Sequence, residues 1–157
     1  MKLALLQTGK TTESYVTQGM SLYSGRLKKY ASFTIITVPE LKNTKNMPAA
    51  EQKKKEGKKI LEAVGRDDFI VLLDEKGKEL TTVEFAGWLK KQALITDKRI
   101  LFVVGGPWGV SEEVMNAAGF RLSLSKMTFP HQLIRVLFLE QLYRAFTIIK
   151  GVPYHHE

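Results

Sequence analysis

Ile100-Leu101-Phe102-Val103-Val104-Gly105-Gly106-Pro107-Trp108-Gly109 is an apolar run that empties straight into a glycine-rich loop. Five consecutive apolar residues flanked by turn residues read as a strand covered on both faces, the kind found in parallel sheets. Phe69-Ile70-Val71-Leu72-Leu73 repeats the pattern upstream, before Asp74-Glu75-Lys76-Gly77-Lys78, and Phe120 to Leu124 downstream reads as the last strand. Helical patterns separate these runs, so the chain reads as α/β: a mostly parallel sheet with helices on both faces. Open sheets of this class bind small molecules beyond the carboxyl ends of their strands. Three irregular segments fall there: 74–78, 105–109 and Leu124-Ser125-Lys126-Met127-Thr128-Phe129-Pro130-His131.

Working outward, Leu3 to Gln7 is a short strand closed by Thr8-Gly9, and Thr12 to Lys29 carries a helical spacing. Phe33 to Val38 is a β-branched strand stopped by Pro39, and Leu41 to Pro48 is a polar linker, the expected mobile loop. Ala49 to Val64 is a lysine-rich helix. Residues 74–78 are expected to turn the chain, and Thr81 with Glu84 has the spacing of a capping box opening a helix through about Leu94. Ser111 is an N-cap whose helix begins with Glu112 and Glu113. Pro130 suits the first turn of a last helix from about His131 to Ile149. That helix is apolar nearly all round, which predicts burial on several sides and a second copy of the chain as partner, a homodimer.

Composition narrows the function. The 157 residues, 44% of them apolar, suit one domain over 1–157. There is no cysteine and only three histidines, so disulfides, thiolate nucleophiles and thiolate zinc sites are excluded and no metal is expected. No stretch has the roughly 18 apolar residues of a membrane span, and the N-terminus lacks a signal peptide's apolar length, so a cytoplasmic protein with no membrane partner is expected. The net charge of +8 favours a polyanionic partner such as nucleic acid. The densest cluster, Lys53 to Lys59, reads equally as a solvated face. The glycine loop is not G-x-G-x-x-G, and Glu112 and Glu113 repel a diphosphate at the following helix, which argues against a dinucleotide. What the loop offers is bare backbone for an adenine or ribose.

The strings 73–78, 105–109 and 124–131, together with Leu142-Tyr143-Arg144-Ala145 and Pro153-Tyr154-His155, resemble the ribosomal large-subunit methyltransferase H family, of the SPOUT class, from Met1 to the C-terminus. The resemblance implies a C-terminal trefoil knot, a device that ordinary chain connectivity argues against. It also implies an S-adenosylmethionine-dependent enzyme, a homodimer that methylates N3 of a pseudouridine in 23S rRNA on the assembled ribosome. By motif position the cofactor meets Leu73, Gly105, Gly106 and the segment Leu124, Ser125, Lys126, Met127, Thr128 and Phe129. Tyr154 and His155 are expected to position substrate or move a proton, with His131 as a further candidate. Arg135 and Arg144 are expected either to pair with Glu140 across a dimer or to meet RNA phosphate, and Trp108 to stack on a base or cover the pocket. The alternative from another class is a non-catalytic ribosome- or RNA-binding protein of the same fold.

Overall fold

A computed structural model describes residues 1–156. Five strands and five helices alternate: β1 (Lys2–Thr8), α1 (Ser14–Leu27), β2 (Ser32–Val38), α2 (Ala49–Ala63), β3 (Asp68–Glu79), α3 (Thr82–Ile95), β4 (Arg99–Val104), α4 (Glu112–Ala117), β5 (Phe120–Ser123) and α5 (Leu133–Lys150). The strands form one sheet in the order β2-β1-β4-β3-β5, and every pairing is parallel. This order is consistent with the threaded C-terminal segment implied by the resemblance.

Alternation along the strands divides the core. Leu3, Leu5, Val71, Ile100 and Phe102 point to one face, where α1, α3 and α5 pack through Met20, Phe85, Leu89, Phe138 and Leu142. Ala4, Leu6, Leu72, Leu101 and Val103 point to the other, against Ile60 of α2 and Val114 of α4. Because both faces are covered, the central strands are apolar throughout. The capping box forms as its spacing predicts: Glu84 N–H donates to Thr81 Oγ1 at 3.1 Å, and Thr81 N–H to Glu84 Oε2 at 2.7 Å.

Three expectations change. Residues 74–78 are not a turn between elements, because β3 continues to Glu79. The ladder shifts register instead: Leu73 and Lys78 both face Leu122 of β5, and the residues between them bulge out of the sheet. The last helix starts at Leu133 rather than His131, leaving Pro130 ahead of it. Gln132, at that boundary, is used elsewhere: its Oε1 accepts from the N–H groups of Thr12 and Glu13 at 2.9 and 3.1 Å, satisfying donors at the start of α1. The linker expected to be mobile is fastened to α2, since Gln52 Nε2 donates to Met47 O at 2.9 Å.

At the amino end of the sheet, Arg99 binds Asp68 through both carboxylate oxygens, at 2.6 and 2.7 Å, and Gly65 N–H adds a third bond at 2.7 Å. Burial alone would raise the Asp68 pKa, but these partners outweigh it and hold the carboxyl below its ordinary value. A depressed folded pKa adds stability above the unfolded value near 4, lost as pH falls through the lower folded one. Asp68→Asn is expected to cost about 2 kcal/mol at neutral pH and to flatten the acid limb of a stability-against-pH curve, read by urea unfolding.

Candidate functional site

The register shift of β3 and the carboxyl ends of β4 and β5 come together at Leu73, Val104 and Leu122, with Leu73 the register partner of both others. Beyond them lies a cavity of about 500 Å³, walled by those three residues with Leu124 and Ile134 and rimmed by 105–110, Ser125 and 127–129. The segments singled out at strand ends thus converge on one cleft, the bulge of β3 supplying Asp74, Glu75 and Lys76.

The glycine loop is folded tightly on itself. Gly109 N–H donates to Gly106 O at 3.0 Å, and Gly109 has φ +82°, which favours glycine. A Cβ on Gly105 would lie 2.8 Å from Val110 Cγ1, so any side chain there pushes the loop open. Trp108 projects from the tip, 53% exposed, and its indole N–H donates to Gln52 Oε1 at 3.1 Å. In the third segment, Met127 N–H donates to Ser125 Oγ at 2.9 Å and Ser123 Oγ–H donates to Ser125 O at 2.9 Å, so this hydroxyl shapes its own loop. Thr128 and Phe129 line the cavity, and Met127 does so while 76% exposed. Lys126 does not: its ammonium lies outward, 3.6 Å from Glu79.

An ion pair that sequence reasoning missed closes one side. Asp74 Oδ2 accepts from Arg121 Nε at 2.9 Å and also from Arg121 Nη2, while Oδ1 accepts from Lys76 N–H at 3.0 Å. Burial would raise the Asp74 pKa, but the Lys76 N–H and the Arg121 guanidinium hold it below its ordinary value. His131 lines the cavity half-buried. Burial and the nearby Arg135 charge lower its pKa despite Glu40, so the imidazole is neutral at pH 7.

The two arginines of α5 differ from expectation. Arg135 is 1% exposed and donates to Thr8 O at 2.7 Å, Gly9 O at 3.1 Å and Thr11 Oγ1 at 2.9 Å. Its guanidinium clamps the loop after β1, and no face of it is offered to phosphate. Arg144 pairs with Glu140 at 2.6 Å, but within its own helix, one turn apart. Tyr154 O–H donates to the same Glu140 Oε1 at 3.2 Å, and its ring lies against Tyr143 and under Arg144, with centroid distances of 4.8 and 4.7 Å. Burial, a hydrogen bond with Tyr23 and the Glu140 charge push the Tyr154 pKa up to about 12, so its hydroxyl stays a donor. His155 is half-buried, with Nδ1 unpartnered. Glu140, Arg144 and Tyr154 form a second cluster along α5, and neither they nor His155 line the cavity.

Among the described residues no group of three metal-ligating side chains occurs, and no helix is long and apolar enough to cross a membrane. Residues 1–155 match the model of a family described as "Predicted SPOUT methyltransferase". Proteins named ribosomal RNA large subunit methyltransferase H from Parabacteroides distasonis and Bacteroides fragilis are 50% and 48% identical to this chain, over the full length of both partners. One from Christiangramia forsetii is 47% identical over 99% of each chain. Among solved structures, a tRNA (m1G37) methyltransferase from Aquifex aeolicus covers 99% of this chain with a TM-score of 0.59 at 17% identity, the match taking in 74% of that chain. A probable methylase family protein from Haemophilus influenzae covers 99% at a TM-score of 0.52 and 11% identity, over 70% of its own length. At such identities these two likenesses concern the fold alone. A family match over residues 1–155 and full-length identity near one half make this chain a member of the SPOUT methyltransferase family, in its ribosomal RNA large subunit methyltransferase H branch.

Proposed function

We propose that this chain, a single SPOUT domain over 1–157, transfers the methyl group of S-adenosylmethionine to N3 of a pseudouridine in 23S rRNA on the assembled ribosome. The observation that carries the reading is the cavity beyond β3, β4 and β5, in a chain 50% identical over its full length to a methyltransferase H protein. Its size falls in the range of about 300–1,000 Å³ usual for small-molecule sites. Leu73, Leu122 and Leu124 offer apolar walls for an adenine, and the bare backbone at Gly105 and Gly106 suits close approach by a ribose. Bound there, S-adenosylmethionine supplies an electrophilic methyl sulfonium. Ser125 fixes the loop that covers it by accepting from Met127 N–H, Thr128 lines the cavity beside it, and Lys126 contributes its backbone alone.

The residues then divide the work. His131, neutral and on the cavity wall, is suited to accept a hydrogen bond or a proton from the target base. Tyr154 keeps its proton and positions rather than deprotonates. Tyr154 and His155 stand away from the cavity of their own chain, which supports a homodimer in which one copy's tail serves the other's cofactor site. Trp108, exposed at the rim, suits stacking on an RNA base. Arg144 is near enough to the tail to meet phosphate beside it, whereas Arg135 acts inside the fold. The net charge of +8 supports the polyanionic substrate.

Labelled methyl from S-adenosylmethionine is expected on a 23S pseudouridine of ribosomes lacking the modification, and not on free rRNA or separated subunits. Absence of label with cofactor still bound would favour another acceptor or a silent binding module. Tyr154→Phe is expected to slow transfer by about ten-fold while leaving cofactor affinity unchanged, as measured by single-turnover kinetics and calorimetry.

A further inference from the structure

Glu56 lies on α2, against the glycine loop and outside the cavity lining, and is 8% exposed. Its Oε2 is buried with no hydrogen-bond partner, and it takes part in no ion pair among the described residues. The carboxylate stands directly behind the loop: a Cβ on Gly106 would lie 2.9 and 3.2 Å from its two oxygens. Gly106 itself lines the cavity and Glu56 does not, so the carboxylate faces the cavity through the loop backbone at Gly106.

A buried carboxylate without a partner is costly to keep. Burial and the Glu40 charge raise its pKa, and Lys59, further along α2, opposes them without forming an ion pair. The other acids at the cavity are placed differently. Asp74 is engaged by Arg121, and Glu75 is exposed to water, which screens it. Glu56 is the acid whose field reaches the loop through protein.

That field distinguishes two ligands of nearly equal shape. In methyl transfer the S–CH3 bond breaks with its electron pair returning to sulfur, carbon bonds to N3 of the base, and the N3 proton passes to His131 or to water. The ligand therefore passes from a sulfonium to a neutral thioether and loses one positive charge. We propose that Glu56, acting through the backbone of Gly106, makes the site prefer the cationic methyl donor over its demethylated product. This rests on the reading of the cavity as the S-adenosylmethionine site. The consequence is release of product in favour of fresh donor, without any side chain contacting the sulfur.

The test is calorimetric titration of the full-length chain with S-adenosylmethionine and with S-adenosylhomocysteine, each against wild type, Glu56→Gln and Lys59→Met. A unit charge within roughly 10 Å at an effective dielectric near 20 changes affinity by about ten-fold or more. Glu56→Gln is expected to weaken the donor by about that factor and leave the product unchanged. Lys59→Met, which removes the opposing charge, is expected to strengthen the donor several-fold with the product again unchanged, and it decides the matter if the Gln variant folds poorly. Parallel shifts for both ligands would mean a packing role and overturn the proposal, as would no shift in either variant. Wild-type protein that binds neither ligand would overturn the cofactor reading, and this assignment with it.

Discussion

Arg135→Ala is expected to destabilise the protein by about 4 kcal/mol, the range of a buried polar network broken from one side. The side chain is 1% exposed and reaches back from α5 to Thr8 O, Gly9 O and Thr11 Oγ1. Truncation leaves two buried carbonyls without donors and a hole the size of the guanidinium stem. For a chain of this length the corresponding fall in melting temperature is roughly 8–16 °C. Arg135→Met refills the volume but not the donors, so it should recover part of the loss. An arginine serving RNA phosphate would behave in the opposite way, leaving the melting temperature in place and weakening ribosome binding with a flatter salt dependence. Urea unfolding of both variants beside a ribosome-binding titration separates the two roles.

Why Arg135 was not legible in advance is instructive. A charge in an apolar helix signals a partner, but the partner sits more than a hundred residues away, in the loop after β1, and no local pattern names it. Glu56 was hidden for a related reason. In Lys53-Lys54-Lys55-Glu56-Gly57-Lys58-Lys59 it reads as one more solvated charge. Gly57 reverses that reading: a Cβ there would come within 2.8 Å of Ser111 Cβ, so its absence lets α2 sit close on α4 and buries the neighbouring carboxylate. By contrast, the runs at 69–73 and 100–104 and the capping box at Thr81 and Glu84 depend on nearest neighbours and period, and they appear in the structure where the pattern puts them.

The candidate site shows the same division. That the segments 74–78, 105–109 and 124–131 share one cleft followed from the rule that parallel strands present their carboxyl ends together. Which side chains face inward did not follow, since Lys126 turns out to Glu79 while His131 turns in. The separation of Tyr154 and His155 from that cleft depends on the tail folding back along α5 onto Tyr143 and Glu140, a tertiary contact with no sequence signature.

Gly77→Ala is expected to have the second large effect, on stability and cofactor binding together. The run Asp74 to Lys78 has the composition of a turn, and glycine there reads as a turn residue. The structure gives Gly77 another task, because a Cβ on it would lie 2.7 Å from both the carbonyl carbon and oxygen of Arg121 and 2.9 Å from Leu122 N. These are backbone atoms of β5 and cannot swing aside as a side chain end would. Adding one methyl must therefore pry β5 from β3 at the point where the register shifts. We expect a cost of about 3 kcal/mol, toward the upper end for overpacking because the obstacle is main chain. The same displacement moves Arg121 away from Asp74 and Leu122 off the cavity wall. Cofactor affinity should fall with stability, whereas Arg135→Ala, acting on the β1 side of the sheet, should spare affinity in whatever fraction stays folded. Calorimetric binding at a temperature well below both melting points tests the distinction: equal affinity in Gly77→Ala and wild type would mean that β5 yields without disturbing the cleft.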